Sequence, residues 1–263
     1  MNAGKKRRLE RVLKKDNRTV IVPMDHGVSS GPLKGIENMQ ETINRLTAGG
    51  ADAVVLHKGL AKRVEVANTG LIVHLSAISN FSPNSQNKVQ VCSVMEAIRL
   101  GADAVSVHVN VGAVDEDKML TKLGKVADEC DVLGMPLLAM MYPRGPKIAN
   151  EHAVDPVAHA ARIGAELGAD IIKTNYTGDI ESFKKVIETC PVPVVIAGGP
   201  KSETPLEILR MVHDSLSAGS VGLSIGRNVF QHRNPTLMVK ALVAIVHGKA
   251  TVEQAAKILG ETK

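Results

Sequence analysis

Aromatic residues are nearly missing from this chain: it has no tryptophan, two tyrosines and three phenylalanines among 263 residues. A surface that reads nucleic-acid bases needs aromatic platforms for stacking, so a base-reading role is not expected. Cysteine is scarce as well. Cys92, Cys130 and Cys190 stand far apart with no C-x-x-C pair, a spacing that builds neither a disulfide framework nor a zinc site, and they read as reduced core thiols. No apolar run approaches the roughly 18 to 20 residues of a membrane span. The N-terminus MNAGKKRRLERVLKK is basic but lacks the apolar stretch of a secretory signal. A cytoplasmic protein with no membrane and no nucleic-acid partner is the expectation. Neither a nucleotide-binding P-loop nor an H-E-x-x-H helix is present.

What is there suits a globular body. The chain is 44% hydrophobic and 22% charged, with mean hydropathy near zero, enough apolar material for a large core. A net charge of +5 favours anionic ligands. Much of that excess lies in the N-terminal GKKRRLERVLKK, where Leu9, Val12 and Leu13 at i, i+3, i+4 predict an amphipathic helix packed on the body with a solvated basic face.

Eight short apolar runs recur: TVIVPM (19–24), AVVLH (53–57), LIVHL (71–75), AVSVHV (104–109), PLLAMM (136–141), DIIK (170–173), PVVIA (193–197) and VGLSIG (221–226). They lack a period of two, as strands buried on both faces do, and helix-period segments separate most of them. Ile36, Met39, Ile43 and Leu46 share one face of a predicted helix over 36–48. Asp155 with Pro156 predicts a helix start as N-cap and N1, and Thr204, Pro205 and Glu207 predict a capping box with proline at N1. The stretches GGADAVVLHK, LGADAVSVHV, LGADIIKTN and AGSVGLSIG form a weak repeat, a glycine stop leading into a strand. Eight strands alternating with helices and no flexible linker predict one (β/α)8 TIM barrel over residues 1–263, with 1–15 as an N-terminal helical extension. A doubly wound sheet would need a glycine fingerprint after the first strand, where the sequence has MDHGVSSG instead.

In a barrel the chemistry sits where strands finish. The successive runs deliver Asp25-His26, His57-Lys58, His74, His108 with Asn110, Tyr142 with Arg144, Lys173, Gly198-Gly199, and Gly226-Arg227-Asn228. The glycines after the seventh run, with Arg227 and the segment NVFQH after the eighth, suit a phosphate. Four histidines on separate strands are either wall residues and substrate contacts or, less simply, a metal site. An ammonium group at the mouth, desolvated and beside other cations, becomes nucleophilic toward a carbonyl, which makes Lys173 a Schiff-base candidate with Asp25 and Tyr142 as proton carriers. The plain alternatives are a salt bridge from Lys173 to Asp170, a loop cap for Asp25 and a wall role for Tyr142. Lys58 is the competing amine.

Taken in order, VPMDHGVSSGP, VLHKG, MMYPRG, KTNYTGDI, VVIAGGPK and GRNVFQH resemble the archaeal class I aldolase family, over about residues 8–260. The resemblance implies a (β/α)8 barrel, a homo-oligomer with a decamer among its forms, and a Schiff-base reaction with no metal or other cofactor. It implies Lys173 as the imine lysine, Tyr142 as proton donor and Asp25 as proton acceptor. Substrate contacts would fall on His26, Gly27, Val28, Ser29, Pro143, Arg144, Thr174, Asn175, Gly198, Gly199, Gly226 and Arg227. Asn175 stands where some relatives have serine. The implied reaction is a transaldolase-type condensation: 6-deoxy-5-ketofructose 1-phosphate supplies a three-carbon enamine that is joined to L-aspartate semialdehyde, on a route to 3-dehydroquinate and the aromatic amino acids. The alternatives are a class I fructose-1,6-bisphosphate aldolase and, outside enzymes, a basic module that binds nucleic acid through its N-terminal helix.

Overall fold

A computed structural model describes residues 2–199, 202 and 204–260. Eight parallel strands close into a barrel: β1 (Thr19–Pro23), β2 (Ala53–Leu56), β3 (Gly70–His74), β4 (Ala104–Val111), β5 (Leu137–Pro143), β6 (Ile171–Thr174), β7 (Val194–Ala197) and β8 (Gly222–Ser224). Neighbours in sequence are neighbours in space, and β8 returns to pair with β1, Thr19 opposite Gly222. Each expected run is a strand. Closure brings the β8 backbone against β1 so tightly that a side chain on Gly222, whose φ is +146°, would overlap the Thr19 carbonyl.

The missing period of two has its physical cause in burial on both sides. Ile21, Val55, Ile72, Leu138, Ile171 and Val195 point into the barrel, while Val20, Val54, Val73, Ala139, Ile172 and Ile196 pack under the helices. Both sets are apolar, so the hydrophobic pattern hides the alternation.

The helix α1 (Ala3–Val12) closes the N-terminal end of the barrel. Asn2 caps it by accepting from the Lys5 amide, and Val12 and the following Leu13 are buried in the interior cluster. Burying such side chains contributes about 1.5–3 kcal/mol each. The helix is basic because the barrel floor is acidic. Asp52, Asp103 and Asp170, the aspartates of the Gly-Ala-Asp repeats, each accept a backbone amide from a neighbouring strand, from Val20, Leu71 and Leu137. Their remaining charge meets Lys14 at 3.8 Å, Arg11 at 2.6 Å and Lys5 at 2.9 Å respectively. The expectation of a solvated basic face is therefore corrected in part. Lys6 and Arg7 face water, but Lys5 is buried between Asp131 and Asp170.

Three local readings also change. The helix predicted from 36 begins at Met39, capped by Asn38, with Ile36 buried ahead of it. The helix Val154–Glu166 starts before Asp155, so Asp155 and Pro156 lie within its first turn, where an acid suits the helix dipole and a missing N–H costs nothing. Thr204 is an N-cap with Pro205 at N1, yet its side chain makes no capping hydrogen bond. Among the described residues no helix is long and apolar enough to cross a membrane.

Candidate active site

The C-terminal ends of the strands surround a cavity of about 330 Å³. Alternation along each strand decides which side chains reach it. On β6, Ile171 and Lys173 point inward and Ile172 and Thr174 outward. On β5 and just past it, Met140, Tyr142 and Arg144 line the cavity and Pro143 does not. On β1 and its continuation, Pro23, Asp25 and His26 do.

Lys173 lies among apolar neighbours, paired along the sheet with Met140 and Val195, and only 7% exposed. Among the described residues its Nζ has neither a hydrogen-bond acceptor nor a carboxylate at ion-pair distance. The Lys173–Asp170 bridge is not made, because Asp170 sits at the other end of the strand and holds Lys5. Lys58 is exposed at the start of the short helix Lys58–Ala61 and does not reach the cavity.

Asp25 is nearly enclosed between two imidazoles, His74 Nε2 at 3.7 Å and His26 Nδ1 at 3.9 Å. Burial alone would raise its pKa, but His74, His26 and Lys173 together hold it well below the usual carboxylate range. Asp25 is thus an anion at neutral pH. His74 is pushed down to about 3, chiefly by burial and despite Asp25, so it is a neutral ring; its Nδ1 is fixed 2.7 Å from Ser106 Oγ. Burial also lowers His26 and His57. His108, pushed well down by burial, bonds Asn110 Oδ1 through Nε2 at 2.8 Å and stands edge-on to Tyr142, ring centres 5.0 Å apart. The Arg144 guanidinium covers the Tyr142 ring at 4.5 Å and is steadied by Glu151 at 2.6 Å.

Across the mouth, Gly198, Gly199, Gly226 and Arg227 form one wall. Gly226 is required by space: a Cβ there would come within 2.6 Å of His26 Cε1 and of the Pro23 carbonyl. Arg227 Nη2 bonds the Gly199 carbonyl at 2.9 Å, and Asn228 Nδ2 bonds that of Gly198 at 3.0 Å, tying the β7 and β8 loops together. The short helix expected after β8 is Arg227–Phe230. Pro200 and Lys201 of the VVIAGGPK stretch lie outside the described residues. Two buried polar atoms on the cavity side, His26 Nδ1 and Ser224 Oγ, have no hydrogen-bond partner among the described residues. Such atoms are costly unless a ligand satisfies them.

Lys173, Tyr142 and Asp25 therefore meet in one cavity, with His26, Val28, Ser29, Arg144, Asn175, Gly198, Gly199, Gly226 and Arg227. Gly27, Pro143 and Thr174 do not line it; Thr174 Oγ1 instead donates to the Met141 carbonyl behind the sheet. Asn175 reaches the cavity while its Nδ2 donates to the Glu151 carbonyl. Sequence reasoning missed Ser76, Asn80 and Lys88, which arrive from the long connection after β3. Its only signal was length: a polar stretch, ISNFSPNSQNK, between a strand and the next helix. Among the described residues no group of His, Cys, Asp and Glu is arranged to hold a metal ion.

Residues 19–232 match the family described as DeoC/LacD family aldolase. The chain is 46% identical to a 2-amino-3,7-dideoxy-D-threo-hept-6-ulosonate synthase 1 of Archaeoglobus fulgidus, covering 95% of this chain and 94% of that one. It is 42% identical to a 2-amino-4,5-dihydroxy-6-oxo-7-(phosphonooxy)heptanoate synthase of Streptomyces griseus, over 93% and 90%. Among solved structures it superposes on an archaeal fructose-1,6-bisphosphate aldolase, described with its catalytic lysine covalently bound to the carbinolamine intermediate, at TM-score 0.87 and 34% identity, over 93% and 100%.

Proposed function

The chain belongs to the DeoC/LacD family of aldolases and is a class I aldolase-type enzyme, and from that premise we propose that it joins a three-carbon enamine, carried on Lys173, to L-aspartate semialdehyde. The observation that carries this reading is a lysine side chain with no partner among the described residues, set in one closed-floored cavity with the Asp25 carboxylate and Tyr142. The Lys173 amine adds to a ketone of 6-deoxy-5-ketofructose 1-phosphate and loses water, giving an iminium. The neighbouring hydroxyl gives up its proton and the C–C bond breaks, its electron pair passing to the iminium. Hydroxypyruvaldehyde phosphate leaves and a three-carbon enamine remains. That enamine attacks the aldehyde carbon of L-aspartate semialdehyde, the new oxygen takes a proton, and water releases 2-amino-3,7-dideoxy-D-threo-hept-6-ulosonate and the free amine. Tyr142 exchanges the proton at the aldehyde oxygen, and Asp25 moves protons at the carbon that becomes the imine.

The names of the Archaeoglobus fulgidus and Streptomyces griseus relatives both describe a seven-carbon chain with an amino group at C2, which supports a four-carbon amino-acid aldehyde as acceptor. The product would feed 3-dehydroquinate and the aromatic amino acids. A second reading, cleavage of fructose 1,6-bisphosphate, is favoured by the solved relatives and by the glycine and Arg227 wall, which suits a phosphate on the retained fragment. Borohydride trapping with each sugar, followed by peptide mapping, tests both. An irreversible adduct on Lys173 with the diulose phosphate, and turnover that requires aspartate semialdehyde, is expected. Faster trapping and cleavage with fructose 1,6-bisphosphate would establish the second reading, and no adduct during turnover would remove Lys173 from the reaction.

A further inference from the structure

The cavity has a second cationic pole. Lys88 enters it from the connection after β3, where two short antiparallel strands, Ser76–Ala77 and Val89–Gln90, enclose residues 78–88. That connection is held from below: Lys122 Nζ donates to the carbonyls of Lys88 and His108, and Asn110 Nδ2 to that of Gln86 at 2.7 Å. Lys88 Nζ donates to the Ser85 carbonyl at 3.1 Å and has no carboxylate partner among the described residues. Arg144, just after β5, commits Nε to Glu151 and its face to Tyr142, which leaves both Nη groups without a partner among the described residues. Burial and then Arg144 push the Lys88 pKa down, while Asp25 acts the other way. Arg144 has Glu151, but Lys88 has no acid of its own among the described residues, so the two half-buried cations leave a positive excess that an anion offsets.

Topology decides which part of a substrate meets this pole. The strands run in order around the barrel, so β7 and β8 flank Lys173 of β6 on one side and β5, β4 and β3 on the other. Arg227 and the glycines are therefore on one flank, and Tyr142, Arg144 and Lys88 on the opposite one. If Tyr142 exchanges the proton of the aldehyde oxygen, the aldehyde lies on the Tyr142 flank. The bond that breaks and the bond that forms use the same enamine carbon, so the departing and incoming aldehydes occupy that flank in turn.

We propose that Lys88 and Arg144 form the anion subsite of the aldehyde half of the reaction and bind the carboxylate of the incoming acceptor. The fork of Arg144 and the point charge of Lys88 suit a carboxylate, and the departing aldehyde of the diulose carries its phosphate toward the same pole. The proposal rests on Lys173 as the imine lysine, so its test separates the two. With donor saturating, turnover is compared for aspartate semialdehyde and for butanal, an aldehyde of equal chain length without charge. The wild-type enzyme is expected to favour aspartate semialdehyde. Lys88→Gln should raise the KM for aspartate semialdehyde by about tenfold to a hundredfold and that for butanal far less, as loss of one charge-assisted hydrogen bond to the carboxylate implies. Lys88→Arg should restore most of the loss. Borohydride trapping of Lys173 by the donor should persist in Lys88→Gln, whereas its absence in the wild-type enzyme would strike the Lys173 reading itself. No preference between the two aldehydes in the wild type, or an equal loss for both in Lys88→Gln, overturns the proposal.

Discussion

The two ends of this barrel use the same residue types to opposite effect. At the N-terminal end Lys5, Arg11 and Lys14 each meet an aspartate that is also bonded to a backbone amide, and His247 bridges Asp16 at 2.7 Å and Asp52 at 2.8 Å. Each of these charges is answered from within the chain. At the C-terminal mouth Lys173 and Lys88 have no acid at ion-pair distance among the described residues, and Asp25 has only imidazoles beyond hydrogen-bond reach. These floor cations are paired, and the two lysines of the mouth are not. A charge left unpaired in a folded protein lowers stability, so the unpaired ammonium groups at the mouth mark where a ligand completes the structure.

The largest expected break in this contrast comes from the mouth. Lys173→Ala should lower kcat by several orders of magnitude, on the order of 10⁴ or more, as loss of a covalent nucleophile does, with Tm unchanged or raised. Thermal unfolding beside single-turnover kinetics checks both halves; retained activity would end the nucleophile assignment. Next, Tyr142→Phe should slow kcat by about 10²- to 10⁴-fold with little change in KM, the pattern of a lost proton carrier. A defect confined to KM would return Tyr142 to the cavity wall.

The floor should answer with the reverse pattern. Lys5→Met leaves the Asp170 carboxylate, 13% exposed, without its cation and should cost about 3 kcal/mol of stability, the low end for a broken buried pair because Asp131 is solvated. Turnover of the folded fraction should be unchanged; urea unfolding and kcat at low temperature measure each. The smallest effect is expected at His247. Its pKa is raised by the hydrogen bond to Asp52, against burial, and by Asp16. A raised folded pKa gives stabilisation that is complete below the unfolded value near 6.5 and is lost as pH rises through the folded value. The wild type should therefore lose about 1 kcal/mol or less more stability than His247→Gln between pH 6 and pH 9. Equal slopes for the two would remove the His247 charge from the floor's account.

Much of this was legible in the sequence, for identifiable reasons. Strands buried on both faces appear as short unbroken apolar runs, and the polar residue that ends each one marks the mouth. Lys173, Tyr142 and Asp25 were visible that way. Thr174, Pro143 and Gly27 came with the family resemblance and do not line the cavity; strand alternation turns the Thr174 hydroxyl to the Met141 carbonyl. Lys88 was missed because it follows no apolar run. The meaning of the basic N-terminal segment was missed in part because its partners, Asp103 and Asp170, lie about a hundred residues or more away.

The sequence by itself determined the number and order of strands, the helices between them and the identity of the groups at each strand end, since these follow from local burial and turn chemistry. The tertiary structure alone decided which charges are paired. Pairing depends on which strand end a side chain occupies and on which segment closes the barrel, and barrel closure brings together residues that no local spacing connects. The same lysine is a floor tie beside Asp170 or an open amine beside Asp25 according to which end of one four-residue strand it occupies.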